Sequence, residues 1–392
     1  MTRKKVSLLL IIFTIALPAF SIGFGFHAFE IRTNPEFSRG IFPTSLLYQF
    51  DFPVPDFIPG NTTEVDFRID NGIDFRTLRQ HPETGIPFAT DPTNADWQFP
   101  HDYITIYDEM NLIFAQGFFK TPMSNKDLLK LWTTFDIRFE NSYERFSYLL
   151  NPEEMEGLFL LSPSPNKKNR FDNWIGQPEL SADRSTSNIS FSLGFDINLM
   201  KENITTRNGI KNSLWVRLNP IWTDWFKDGT HDFFMLWDKL DLSWTICKIR
   251  QSGEKDINWF SIVLDNSTTY RYITGNKIPY YIQGGHIFGL QALNTEHVLT
   301  NRTSLTFYGP QINSYDCYPY ISGFIDIGFS AGKLLNAATP EKYFDFIGST
   351  GIKMEFIIFN IASFYYEIGY IFNNVLNEDN TVISRFGFSF GV

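Results

Sequence analysis

The feature that most narrows the possible folds is a strict alternation at the C-terminal end. Ala362, Phe364, Tyr366, Ile368, Tyr370 and Phe372 fall on one side of an extended chain, with Ser363, Tyr365, Glu367 and Gly369 on the other. After the polar stretch 373–381 the pattern resumes: Val382, Ser384, Phe386, Phe388, Phe390 and Val392 alternate with Arg385, Gly387, Ser389 and Gly391. A two-residue period marks a β-strand with unlike faces, because successive side chains point to opposite sides. The last strand therefore presents a row of phenylalanines that something must cover. In a closed membrane barrel lipid covers such a face, and the first strand pairs with the last.

The same period recurs upstream. Ile189, Phe191, Leu193, Phe195, Ile197 and Leu199 alternate with Ser190, Ser192, Gly194, Asp196 and Asn198. Leu214-Val216-Leu218, Leu240-Leu242-Trp244-Ile246, Phe260-Ile262-Leu264, Thr303-Leu305-Phe307, Ile321-Ile325-Ile327-Phe329 and Ile352-Met354-Phe356-Ile358 follow, separated by turn residues. Segments of about 10 residues suit strands tilted across ~25 Å of hydrocarbon. Asn203 to Asn212 reads as a turn region.

Residues 22–173 give a weaker signal. Phe24, His27 and Phe29 point to a first strand, and proline-punctuated Phe52 to Gly60 reads as loop. Tyr103–Tyr107 and Leu112–Phe119 read as two strands around a short turn. Leu128–Arg138 fits either a short helix followed by a strand or a strand alone, and Ser162–Arg170 is a polar loop.

Composition agrees with a barrel. Aromatic residues make up 17% of the chain, 41 of them Phe, yet the mean hydropathy is slightly negative. Hydrophobicity is thus dispersed over alternating positions. A net charge of −10 argues against nucleic acid, which requires a basic stripe. At the N-terminus, Arg3-Lys4-Lys5 precedes an apolar run, Val6–Phe20, and Ala19 and Ser21 occupy the −3 and −1 positions of a cleavage site. This is a signal-peptide pattern over residues 1–21, which leaves 22–392 as the barrel and the outer membrane of a double-membrane bacterium as its location. Cys247 and Cys317 are expected to be unpaired, although an exported chain permits a disulfide. Trp215, Trp222, Trp225, Trp237 and Trp244 lie near strand ends, where an aromatic girdle would place them. A β-sandwich using the same rings as core is the competing reading.

Within 281–392 four elements occur in an order that resembles the bacterial surface antigen superfamily, the barrel-assembly and two-partner-secretion outer-membrane proteins. Gln283-Gly284-Gly285-His286-Ile287-Phe288-Gly289-Leu290 is similar to that family's glycine pair and loop tetrapeptide. Phe324-Ile325-Asp326-Ile327-Gly328 resembles its Phe-x-Asp-x-Gly strand, and Gly348-Ser349-Thr350-Gly351-Ile352-Lys353 its glycine-led penultimate strand. Arg385 to Gly391, with Phe386, Phe388 and Phe390, resembles its closing aromatic strand. The resemblance implies a barrel of about 16 strands, a loop folded back into the barrel, and a lumenal Asp326 paired with the loop arginine. Two departures stand out. The arginine position holds Phe288, which removes the family's partner for Asp326, and no tandem polypeptide-transport-associated domains precede the barrel.

Phase gives an independent check: with Ile325 and Ile327 facing lipid, Phe324 and Asp326 must face the lumen. Searches for chemistry return little. The six histidines are scattered, with no metal-binding pair, and no nucleophile elbow, P-loop or dinucleotide fingerprint occurs. His101-Asp102 and His231-Asp232 read as loop residues, and Glu355 and Glu367 as lumenal carboxylates that could face one another. The expectation is a non-enzymatic barrel with no catalytic residue, cofactor or metal, which moves or inserts a polypeptide or lipid. Its expected partners are outer-membrane lipid and, during biogenesis, the barrel-assembly machinery. A passive channel for small solutes and a secreted soluble β-protein binding glycans are the alternatives.

Overall fold

The computed structural model describes residues 25–32, 45–52, 54–78, 101–120, 127–144, 184–203, 205–219, 232–251, 257–276, 278, 282, 286–287, 290–291, 295–310, 312, 317–335, 342–358, 362–372 and 382–391. The strands are β1 (Gly25–Arg32), β2 (Ser45–Asp51), β3 (Thr63–Leu78), β4 (His101–Lys120), β5 (Asp127–Glu144), β6 (Arg184–Asn198), β7 (Lys201–Asn203), β8 (Thr206–Asn219), β9 (Asp232–Gln251), β10 (Ile257–Asn276), β11 (His286–Ile287), β12 (Leu290–Gln291), β13 (Thr295–Tyr308), β14 (Cys317–Leu334), β15 (Lys342–Ile358), β16 (Ala362–Phe372) and β17 (Val382–Gly391).

Among the described residues, fifteen strands form one sheet in the order β6-β5-β4-β3-β2-β1-β17-β16-β15-β14-β13-β10-β9-β8-β7. Strand β8 also pairs with β6, from Phe191↔Leu218 to Asn198↔Lys211, so the ladder leads back to the strand where it began. The resemblance implied about 16 strands. Among the described residues β10 pairs directly with β13, and the segment between them contributes the separate β11–β12 hairpin.

The alternation sorts the faces inside out relative to a soluble protein. On β14, Ile321 and Ile325 are 50% and 51% exposed, while Ser322, Phe324, Asp326 and Ser330 are buried. On β6, Phe191 and Leu193 are exposed, and Asn188, Ser190 and Ser192 are buried. A β-sandwich hides apolar faces, and a secreted soluble protein does not present such a belt to water. An apolar outside and a polar inside belong to a transmembrane barrel of the outer-membrane type, which places the chain in the outer membrane. The strands β3, β5 and β10 finish at one rim of the sheet and β4, β9 and β15 at the other, and the sequence intervals to the next barrel strand are longer at the first rim. In such barrels long loops face outward and short turns face the periplasm.

Several local expectations are corrected. Strand β4 is continuous where two strands and a turn were expected, because the polar residues at its middle all have partners on neighbouring strands. Asn71 donates to Asp108, Asn111 donates to Asp136 at 2.7 Å, and Arg138 pairs with Glu109 at 2.7 Å. Leu128–Arg138 is strand throughout. The turn expected over Asn203–Asn212 shrinks to residues 204–205: β8 starts at Thr206, where the Thr245 hydroxyl accepts from the Arg207 amide at 3.0 Å and donates to its carbonyl at 2.9 Å. Trp244 faces outward, 66% exposed, the facing a girdle residue requires. Trp215 and Trp237 instead share the inward phase of Arg217 and Met235, and Trp222 and Trp225 lie outside the described residues. Cys247 and Cys317 are unpaired, as expected.

One polar set faces lipid at mid-strand. The Asn266 amide donates to Asn301 and Thr303 at 3.2 and 2.8 Å, and the Asn301 amide donates back to Asn266 and Thr268 at 3.1 and 2.7 Å. The hydroxyls of Thr268 and Thr303 donate to Asn266 and Asn301. Leu264, Leu305, Leu299, Leu240, Leu242, Ile325 and Ile327 surround these four residues in the register. Every amide and hydroxyl proton of the set is accepted within it, which is the condition for placing polar groups in hydrocarbon. Asn266→Ala should therefore cost about 1–3 kcal/mol by leaving one Asn301 amide proton and the Thr268 hydroxyl without their acceptor. The Asn266→Leu/Asn301→Leu double variant should lie closer to wild type. Urea unfolding in lipid vesicles reads both.

Candidate lumenal site

Strand β14 carries the motif Phe324-Ile325-Asp326-Ile327-Gly328. Its pleat turns Phe324 and Asp326 inward, each 4% exposed, in the phase expected. Directly opposite Asp326 in the register stands Arg302 of β13. Its Nε donates to Oδ1 at 2.7 Å and its Nη2 to Oδ2 at 2.8 Å, a bidentate pair of the kind that only a planar guanidinium makes. The guanidinium carbon lies 4.4 Å from the centroid of the Phe324 ring. Nη2 also reaches Oε1 of Glu367, on β16, at 3.3 Å. One cation thus links two buried carboxylates and an aromatic face across four strands.

Room for Phe324 comes from β15. Gly351 is its register partner, and a Cβ there would lie 2.5 Å from the ring tip. Gly351 thereby acquires a steric reason, in a strand that is third from last and not penultimate as the resemblance implied. Beside it, Lys353 pairs with Glu355 at 2.5 Å, and the Tyr320 hydroxyl bonds the same carboxylate. Glu355 and Glu367 do not face one another: their register partners are Tyr365 and Lys353, and each carboxylate is held by its own cation. The paired-carboxylate reading is thereby set aside. Across the lumen a second ionic group joins β4, β5 and β8. Arg217 pairs with Asp136 at 2.8 Å and bonds Ser190 at 2.9 Å, while Arg138 pairs with Glu109 and stacks on Tyr107 at 4.0 Å.

The resemblance placed the cation for Asp326 at position 288, where this chain has Phe; Arg302 in the barrel wall supplies it instead. Sequence reasoning missed Arg302. Its inward phase was legible from outward Thr303, Leu305 and Phe307, but its pairing with Asp326 depends on a register between strands that no local pattern shows.

Of the loop motif, Gly284, Gly285, Phe288 and Gly289 lie outside the described residues. Ile287 and Leu290 are register partners in the β11–β12 hairpin, and β11 lies beside β14. After β10, Ile278 and Ile282 sit against the inner wall. Ile278 and Ile282 are buried with Phe233, Met235, Ile273 and Leu335, while Arg271 donates to the carbonyls of Ile282 and Thr295 at 3.2 and 3.0 Å. Gly328 is buried on the same inward phase as Asp326. The backbones of Phe386, Phe388 and Phe390 lie in β17, opposite Tyr366, Phe364 and Ala362.

No family model matches the sequence, and no curated protein matches it. Among solved structures the chain is similar to BamA from Haemophilus ducreyi lacking POTRA domains 1–3, at 10% identity and a TM-score of 0.46, over 94% of this chain and 70% of that one. It is similar to CdiB from Acinetobacter baumannii at 8% identity and a TM-score of 0.46, over 94% of this chain and 60% of that one. An outer membrane channel from Pseudomonas putida F1 gives 9% identity and a TM-score of 0.36, over 86% and 96%.

Removing the guanidinium from Asp326 with Arg302→Met should cost about 3 kcal/mol of stability, and adding Asp326→Asn should recover part of it. The resemblance implies that residue 288 reaches Asp326. If so, Phe288→Arg should rescue Arg302→Met in the same urea titration, and an unchanged midpoint would place residue 288 elsewhere.

Proposed function

We propose that this outer-membrane barrel inserts or moves a polypeptide or lipid, without covalent chemistry, at the seam between its first and last strands. The observation that carries this reading is that β1 and β17, at opposite ends of the sequence, pair with each other. Among the described residues β1 and β17 share three register pairs, Glu30↔Gly391, Ile31↔Phe390 and Arg32↔Ser389. No turn links these two strands, so their ladder alone holds them to one another, and they can part without straining a connection. Parting exposes strand edges that an incoming strand can extend, the chemistry of β-augmentation. Outer-membrane lipid and the barrel-assembly machinery remain the proposed partners.

A passive channel for small solutes is the second reading, favoured by the charged inner wall, where the Arg302 side chain is 42% exposed. A cross-seam disulfide separates the two. Facing residues in an antiparallel pair have Cα atoms roughly 4.5–5.5 Å apart, within disulfide reach. In a background with Cys247→Ser and Cys317→Ser, Ile31→Cys and Phe390→Cys should oxidise across the seam. The locked protein in liposomes should lose its acceleration of barrel-protein insertion or lipid exchange, and regain it on reduction. Activity confined to small-solute flux, and indifferent to the lock, would select the channel.

A further inference from the structure

The inward tryptophans form one row. Trp132 on β5, Gly194 on β6, Trp215 on β8 and Trp237 on β9 are successive register partners around the inner wall. Trp132 and Trp215 have ring centroids 6.2 Å apart, and Trp215 and Trp237 lie stacked at 5.7 Å. Trp132 meets Trp215 across β6 because Gly194 contributes no side chain between them, while Trp237 is the direct register partner of Trp215. A Cβ on Gly194 would lie 2.6 Å from both Trp132 and Trp215. All three indoles are half-buried, so each keeps part of its surface open. Trp215 also rests against the apolar cluster of Phe233, Met235, Ile273, Ile278, Ile282 and Leu335, which holds its ring in place before anything binds.

Polar groups rim the row on both sides. Toward the periplasmic end Asp196 is bonded to Ser213, and Lys130 to Glu64. Toward the outer end Arg217 is paired with Asp136, and Ser192 bonds the same carboxylate. Such rims select among ligands. A free anion would need a cation not already committed, and both Arg217 and Lys130 are paired. A hydrocarbon chain would bury the polar rims with nothing to replace their water. A sugar ring suits the site, because its C–H face lies on an indole while its hydroxyls point sideways to carboxylate, hydroxyl and guanidinium groups.

We propose that Trp132, Trp215 and Trp237 form a lumenal strip that binds a linear saccharide chain by stacking successive sugar rings. The site is independent of the β1–β17 seam and holds whether or not that seam opens.

The test uses the intact protein in lipid nanodiscs, titrated calorimetrically with maltohexaose, cellohexaose and chitohexaose. At least one should bind, and Trp215→Ala and Trp132→Ala should each weaken it by about tenfold. Trp244→Ala, on the lipid face, should bind as wild type does. Trp215→Phe keeps an aromatic face and should retain part of the affinity, which guards against a folding defect in the alanine variant. Each variant is checked for the wild-type gel shift between unheated and boiled samples. No binding of any of the three hexasaccharides overturns the proposal. So does equal affinity in folded Trp215→Ala, or binding only of an apolar probe such as N-phenylnaphthylamine.

Discussion

Hydrocarbon offers no hydrogen bonds, and the whole molecule follows from that. Every backbone amide and carbonyl that crosses the bilayer must find its partner on a neighbouring strand, so the strands join in a ladder whose ends meet. The pleat then gives each strand one face for lipid and one for the lumen, and the sequence alternates to match. Polar side chains escape this division only where they satisfy one another, as Asn266, Thr268, Asn301 and Thr303 do.

Inside, charge takes the place that apolar packing holds in a soluble core. Arg302 binds Asp326 and Glu367, Arg217 binds Asp136, Arg138 binds Glu109, and Lys353 binds Glu355. Breaking such pairs is costly because a buried charge is left behind, while their net contribution to stability is small. Their value lies more in specificity. A bidentate guanidinium has one good register opposite a carboxylate, and a slip by one residue would turn every lipid-facing side chain inward. Among the described residues, apolar material inside includes the tryptophan row, the cluster around Ile278 and Ile282, and Phe324.

The fold class and the inward phase of Phe324 and Asp326 were legible in the sequence because period 2 is a local property. Strand limits were less so. Asp108 to Asn111 looked like a turn, since their polarity is explained only by Asn71, Asp136 and Arg138 on adjacent strands. Trp215 and Trp237 looked like girdle residues because position along a strand was readable before the facing of each ring. Arg302 was hidden for the same reason as β4: its role is a relation between two strands. Of the candidate residues, Asp326 gained a partner that no motif named, and the loop tetrapeptide's own contacts are not among those described.

The lipid-facing polar set bears on the order of assembly. Asn266 and Thr268 belong to β10, Asn301 and Thr303 to β13, and the chain between these strands is the connection 277–294. Entering the bilayer alone, either strand would carry carboxamide protons into hydrocarbon with no acceptor. The four side chains thus add to the cost that the unpaired backbone already sets on inserting either strand alone, and favour entry of the two as a finished pair.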